Sequence, residues 1–316
     1  MTRDLTKLQQ QQLRAIQAIQ DAYERELFIN YKTALDDIRV QLSKIYEKYS
    51  KAGALTYAEM SKFNRLDKLQ AQLSDILGPT LSKNGRLVED LRRVQYQESF
   101  YRHAWAIDQS AGVSLRWGLL NPRTIEAAVN QPEWRKILDI SIKDFKRTHY
   151  VRMDRIVTQG LIQGQGYDKM AREIKKGMDG LAGRAMTIAR TEGGRSQTLG
   201  QVALYDEAED LGVKIKRIWD ATLDRATRPE HGELDGTPAD EDGIFHTVVG
   251  PIIGPRTSGD PSFDINCRCS VRPEVEGYPA KVRRIRDEGV QEYKTYKQWA
   301  AEKGIKVNKY GQKLKV

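Results

Sequence analysis

The sequence predicts an α+β fold: a long helical hairpin or bundle in the N-terminal part, a small α+β domain after it, and a basic C-terminal tail. Three observations carry this expectation. Apolar side chains recur at helical spacing through the first 150 residues, strand-type alternation begins only at Val213, and basic residues gather from Lys281 onward. The expected division is 1–150 helical, 151–275 α+β and 276–316 tail, with the change of character near 150–180.

The first element is read from Leu13, Ile16, Ile19, Tyr23, Leu27, Tyr31, Leu35, Ile38, Leu42, Ile45 and Tyr49. Their steps average about 3.6 residues, the period of a straight helix rather than of a strict heptad seam. A helix over residues 4–50 is roughly 70 Å long at ~1.5 Å per residue and cannot bury its seam alone. Thr56-Tyr57-Ala58-Glu59 reads as a capping box opening the partner, whose Met60, Phe63, Leu66, Leu69, Leu73 and Ile76 repeat the spacing until Gly78-Pro79 stops it. A short connection between two seams predicts an antiparallel hairpin. Another helix is expected over 80–118. Asn121-Pro122, an N-cap followed by proline at the first helical position, opens a short one to Val129, and Gln131-Pro132 opens the next. His103 and His149 stand alone on these helices and read as surface or core residues. Gly160, Gly164 and Gly166 follow no strand pattern, so they mark a turn rather than a dinucleotide-binding loop. Helices are expected over 169–178 and from Gly183 to Glu209, the second weakened by Gly193-Gly194. Val213 to Trp219, Phe245 to Ile253 and Phe263 to Val271 read as strands.

Hydrophobic residues make up 39% and charged residues 30%, a modest core with surplus charge that suits long helices. Two cysteines spaced i, i+2 exclude a disulfide framework and favour a reducing compartment. No apolar run approaches the ~18–20 residues of a membrane span, and Met1-Thr2-Arg3-Asp4-Leu5 lacks a signal peptide's apolar region. Residues 281–316 hold eleven Lys/Arg against four acids, a surplus of seven within the chain's net +9. Arg283, Arg284, Arg286, Lys294 and Lys297, interleaved with Tyr293, Tyr296 and Trp299, form a candidate nucleic-acid contact, with a solubilising end as the bland alternative.

Three polar islands stand out: Ile188-Ala189-Arg190-Thr191-Glu192, then Trp219 to Gly236 (WDATLDRATRPEHGELDG), then Asn266-Cys267-Arg268-Cys269. In this order, with Gly160 to Gly164 and Arg184-Ala185 ahead of them, they resemble the Mu F-like minor head proteins, or head morphogenesis proteins, of tailed bacteriophages. The resemblance covers roughly residues 150–275. Ala226 departs from it, since the family often carries a second Arg there. The resemblance implies a virion protein of the capsid interior, made in the host cytoplasm and acting in head morphogenesis, with DNA packaging or ejection as associated roles. Implied partners are the portal protein and the procapsid interior (scaffold or major capsid protein), with non-specific double-stranded DNA suggested by the tail. The hairpin is the candidate portal-docking element.

The islands also have chemistry of their own. Arg190, Glu192, Asp224, Thr227, Arg228, His231 and Asp235 form a candidate binding or structural polar site. One reading is a set of buried ion pairs joining Arg190 or Arg228 to Glu192, Asp224 or Asp235. The alternative is a nuclease or other phosphotransfer enzyme using Asp224, Arg228 and His231, with Arg190, Arg195 and Arg228 as a positive clamp. Arg190-Thr191-Glu192 followed by a His also invites comparison with ADP-ribosyl transfer, although no NAD-pocket pattern accompanies it. On a strand, Cys267 and Cys269 share one face. With His231 or His246 they would make a partial Zn²⁺ site, against the plainer reading of two buried, reduced thiols.

Overall fold

The computed structural model describes residues 5–111, 114–222 and 226–275. It is α+β with a helical N-terminal part. Helix α1 spans Leu5–Tyr49, α2 Tyr57–Ser61 and, after a 3-10 turn, α3 Arg65–Ala111. Helices α4 (Pro122–Val129), α5 (Pro132–Ile162) and α6 (Tyr167–Asp210) follow. The remainder alternates β1 (Ile215–Asp220), α7 (Pro229–Glu233), β2 (Phe245–Thr247), β3 (Gly250–Ile252), α8 (Pro261–Asp264) and β4 (Ser270–Val275).

Local capping signals land where the sequence puts them. Thr56 accepts from the Glu59 amide at the start of α2, and Asn121 accepts from the Thr124 amide at the start of α4. Helices α1 and α3 pair antiparallel: Gln95 donates to the Ile16 carbonyl, and Asn30 donates to Asn84. The turn between α5 and α6 passes through Gly164 at φ +60.

One expected helix stop is overridden. Pro79 lies inside α3, although proline removes a backbone bond and costs about 3 kcal/mol in a helix interior. Buried Leu69, Leu73, Leu77 and Leu81 step across it at a constant four residues, so the seam continues and its burial outweighs that cost. The helices expected over 169–178 and from Gly183 to Glu209 are one helix, α6, which runs unbroken through Gly193-Gly194. There a Cβ on Gly194 would sit 2.5 Å from Arg256 Nε, and one on Gly193 would sit 2.4 Å from Gln20 Oε1. The glycines admit neighbours that no larger residue would.

Two strand expectations also change. Phe245 to Ile253 is a hairpin, β2 against β3 with Pro251 in its second strand, not one strand. The stretch from Phe263 begins as α8, and β4 starts only at Ser270, so the cysteines precede the strand. Asp260 caps α8 and Pro261 opens it, the signature already met at Asn121-Pro122.

The chain divides into two compact units, each built from separated stretches. The first comprises the described parts of Met1–Ala22, Asp90–Arg135 and Arg190–Val316; the second comprises Tyr23–Glu89 and Lys136–Ala189. The second is helix packed on helix. Its core includes Leu35, Ile38, Leu42, Leu73, Val157 and Ile174, with His149 fully buried against Phe145 at 3.9 Å between ring centroids. The first unit holds β1 and β4, paired antiparallel from Ile215↔Val275 to Asp220↔Ser270. On the other side of β1 lies the 237–239 segment, with Ala239 donating to Arg217 and Trp219 to Thr237. This small sheet packs with Phe100, Trp105 and Tyr205 around the fully buried Trp219. No described helix is long and apolar enough to cross a membrane.

Candidate functional site

The three polar islands meet in the first unit. On α6, Glu192 and Arg195 are i, i+3 neighbours on one helical face and form a buried ion pair. Arg92 on α3 approaches the same carboxylate at 3.8 Å. Arg195 reaches further, donating through Nε to the Arg256 carbonyl at 2.7 Å and facing Asp264 at 3.5 Å. Asp264 in turn accepts from the Ser258 hydroxyl at 2.7 Å and the Gly259 amide at 2.9 Å, which closes the 258–264 loop on itself. Thr191 accepts from the Asn266 amide at 3.3 Å, tying the first island to the third. Among the described residues, the buried ion pairs at Glu192 are made by Arg92 and Arg195. Arg190 is two residues from Glu192, nearly opposite it around the helix, and is exposed.

Arg256 is the residue that sequence reasoning missed. It is buried at φ +69 and donates to the Cys267 carbonyl at 2.8 Å and to Thr198 at 3.2 Å. It thus pins the cysteine segment to α6 across Gly194. Asp264 was missed as well, although Asp260-Pro261 ahead of it was a readable helix start.

The second and third islands converge on His231. Proline at the first position of α7 sets the turn that carries it, and the ring is buried. It packs edge-on to Trp219 at 5.8 Å and against Phe263 at 4.1 Å. His231 Nδ1 lies 3.5 Å from Cys267 Sγ and 3.4 Å from Cys269 Sγ. Just before β4 both cysteines are buried and Arg268 is exposed, the period-two alternation expected of a strand. The two thiols interact strongly. The hydrogen bond from Cys269, aided by His231 and Arg256, pulls the Cys267 thiol down against the effect of burial. The same partnership and burial push the Cys269 thiol up. Among the described residues, His231, Cys267 and Cys269 are grouped as potential metal ligands, with their donor atoms within 4.8 Å of one another.

The other predicted residues are placed as follows. Asp224 lies outside the described residues, as do Arg283, Arg284, Arg286, Lys294 and Lys297. Thr227 donates to the Thr222 carbonyl, and Arg228 donates to the Ile265 carbonyl at 2.7 Å. Asp235 accepts from the Ala221 amide at 2.8 Å, so it braces the end of β1. Nearby Asp220 is raised by burial foremost, with Asp235 adding to the effect and Arg272 opposing it. His246 is apart from the thiols, exposed and paired with Asp240 at 2.7 Å. A cavity of about 930 Å³ adjoins the site, its wall including Arg190, Arg228, Arg256, Arg268, Cys267 and Cys269.

Residues 152–272, which contain all three islands, match the Phage Mu protein F like protein family. Minor head protein GP7 of Bacillus phage SPP1 is 29% identical over 286 residues, 89% of this chain and 92% of that protein. NAD(+)–arginine ADP-ribosyltransferase EFV of Enterococcus faecalis is 30% identical over 296 residues, 93% of this chain. The match spans 60% of the enterococcal protein's own length. An uncharacterized protein of Haemophilus influenzae is 29% identical over 135 residues, 43% of this chain and 27% of that one. No solved structure matches the chain. Its three islands lie together inside the matched segment and a minor head protein parallels it over most of its length, so the chain is similar to the Mu F-like phage head proteins.

Proposed function

We propose that this chain is a minor head protein that acts in head morphogenesis from the capsid interior, docked to the portal, and that assists DNA packaging or ejection. The observation that carries the reading is the near end-to-end correspondence with a phage minor head protein, 89% of this chain against 92% of that one. A correspondence of that extent takes in the α1–α3 hairpin as well as the α+β part. The hairpin is the portal-docking candidate in this reading, and scaffold or major capsid protein is the further partner.

The phosphotransfer alternative has less support in the geometry. An acid–base histidine needs access to its substrate, whereas His231 is buried against two aromatic rings and two thiols. The ADP-ribosyltransferase activity named for the enterococcal relative belongs to a protein of which the match covers 60%. The test is to assemble procapsids with and without portal and quantify this chain in each. A few copies per portal-containing particle are expected, and few or none without portal. Equal incorporation in both would sink portal docking as the route of entry.

A further inference from the structure

We propose that His231, Cys267 and Cys269 bind a thiophilic divalent cation of the Zn²⁺ type, with the fourth coordination position open toward the arginine-walled cavity. The inference does not rest on the head-protein reading.

The first support is metric. With Zn–S near 2.3 Å and Zn–N near 2.0–2.1 Å, a tetrahedral centre places its sulfur and nitrogen ligands about 3.5 Å apart. His231 Nδ1 stands 3.5 Å from one sulfur and 3.4 Å from the other, and all three donors fit within 4.8 Å. The second support is chemical. Two thiolates and an imidazole favour a soft or borderline cation, since calcium and magnesium require oxygen ligands.

The third support is the way the donors are held. Cys269 receives a hydrogen bond from the Thr222 amide, and Thr222 Oγ1 donates to the Arg268 carbonyl at 3.0 Å. Arg256 fixes the Cys267 carbonyl at 2.8 Å. The imidazole is oriented by Trp219 and Phe263. Its Nε2 is buried with no hydrogen-bond partner among the described residues. A proton on Nε2 leaves the Nδ1 lone pair aimed at the sulfurs, as a ligand requires.

The open position follows from where the thiols lie. Both cysteines are on the wall of the 930 Å³ cavity, which also carries Arg190, Arg228, Arg256 and Arg268. Three protein ligands and a solvent-facing vertex is the pattern of a zinc site that accepts water or an exogenous ligand. Asp21 and Asp220 share that wall but are outnumbered by its arginines, so the positive balance makes that ligand an anion.

The test uses the full chain, expressed with zinc in the medium and purified without chelator. Elemental analysis is expected to give close to one zinc per chain, and less than about a tenth would overturn the site. Removal of zinc and titration with Co²⁺ should produce the thiolate charge-transfer and visible absorption of a tetrahedral centre. Cys267→Ser and Cys269→Ser should each weaken it, with circular dichroism checking their fold. The wild-type spectrum stands even if a variant misfolds, and its absence would sink the proposal. Adding inorganic phosphate or thiocyanate to the Co²⁺ protein should shift the visible bands; an unchanged spectrum would overturn the open vertex.

Discussion

Arg195 meets four groups at once: the Glu192 and Asp264 carboxylates, the Arg256 carbonyl and, at 5.1 Å, the ring of Trp134. Removing a buried cation breaks both ion pairs, a loss that costs about 3–5 kcal/mol where a buried charge is left short of a partner. Arg195→Met is therefore expected to destabilise the protein by that order, read as a lower urea midpoint. A loss under about 0.5 kcal/mol would mean the network adds little. His103 supports a pH prediction. Burial foremost holds its pKa down to about 4, with Nδ1 at 2.7 Å from the Ser99 carbonyl and Nε2 at 2.9 Å from Gln201. The unfolded chain takes up a proton near pH 6.5, whereas the folded chain resists doing so until about 4. Stability from this residue is thus intact above about 6.5 and lost as pH falls toward 4, by roughly 3 kcal/mol at 1.36 per unit. His103→Gln should flatten the loss measured by denaturation across that window, and an unchanged slope would place it elsewhere. The site was half readable at this scale. Cysteines two apart announce a shared face, and of their two expected companions, His231 and His246, it is His231 that lies beside them. Arg256 was invisible because it sits in a loop without periodicity, at a left-handed φ that its residue type does not advertise.

Among the elements, the readable features were those whose cause is local. The caps at Thr56 and Asn121 and the turn at Gly164 depend on a few adjacent residues, and each is found where the sequence puts it. The continuity of α3 and α6 depends on partners distant in sequence, so the stop at Pro79 and the separation of 169–178 from the helix beginning at Gly183 misled. This distinction has a measurable consequence at Pro79, which is exposed and makes no contribution to the buried seam. Pro79→Ala restores the missing backbone donor and should stabilise the protein by about 1–3 kcal/mol, seen as a higher urea midpoint. A destabilised variant would show that the proline imposes a bend the packing needs.

For the molecule as a whole, charge is the coarsest feature, and most of it lies in residues 281–316, outside the described residues. Non-specific DNA binding by the full chain is expected to reside there, indifferent to sequence because phosphate contacts carry little sequence information. It should fall steeply with salt, each neutralised phosphate adding roughly 0.7–0.9 to the slope of log affinity against log salt. Deleting residues 281–316 should abolish it while circular dichroism stays helical; equal affinity and slope in the truncated protein would leave the tail a solubilising end. The interleaving of the first unit bears on something different, the order of events at the ribosome. Leu8 and Val271 belong to one apolar core, so residue 8 waits for the chain to reach residue 271. At about 5–20 residues per second that interval is roughly 13–50 s. During it Trp105 and Phe100 have no sheet to cover them, which leaves the nascent chain open to chaperones, proteases and its own neighbours on the polysome.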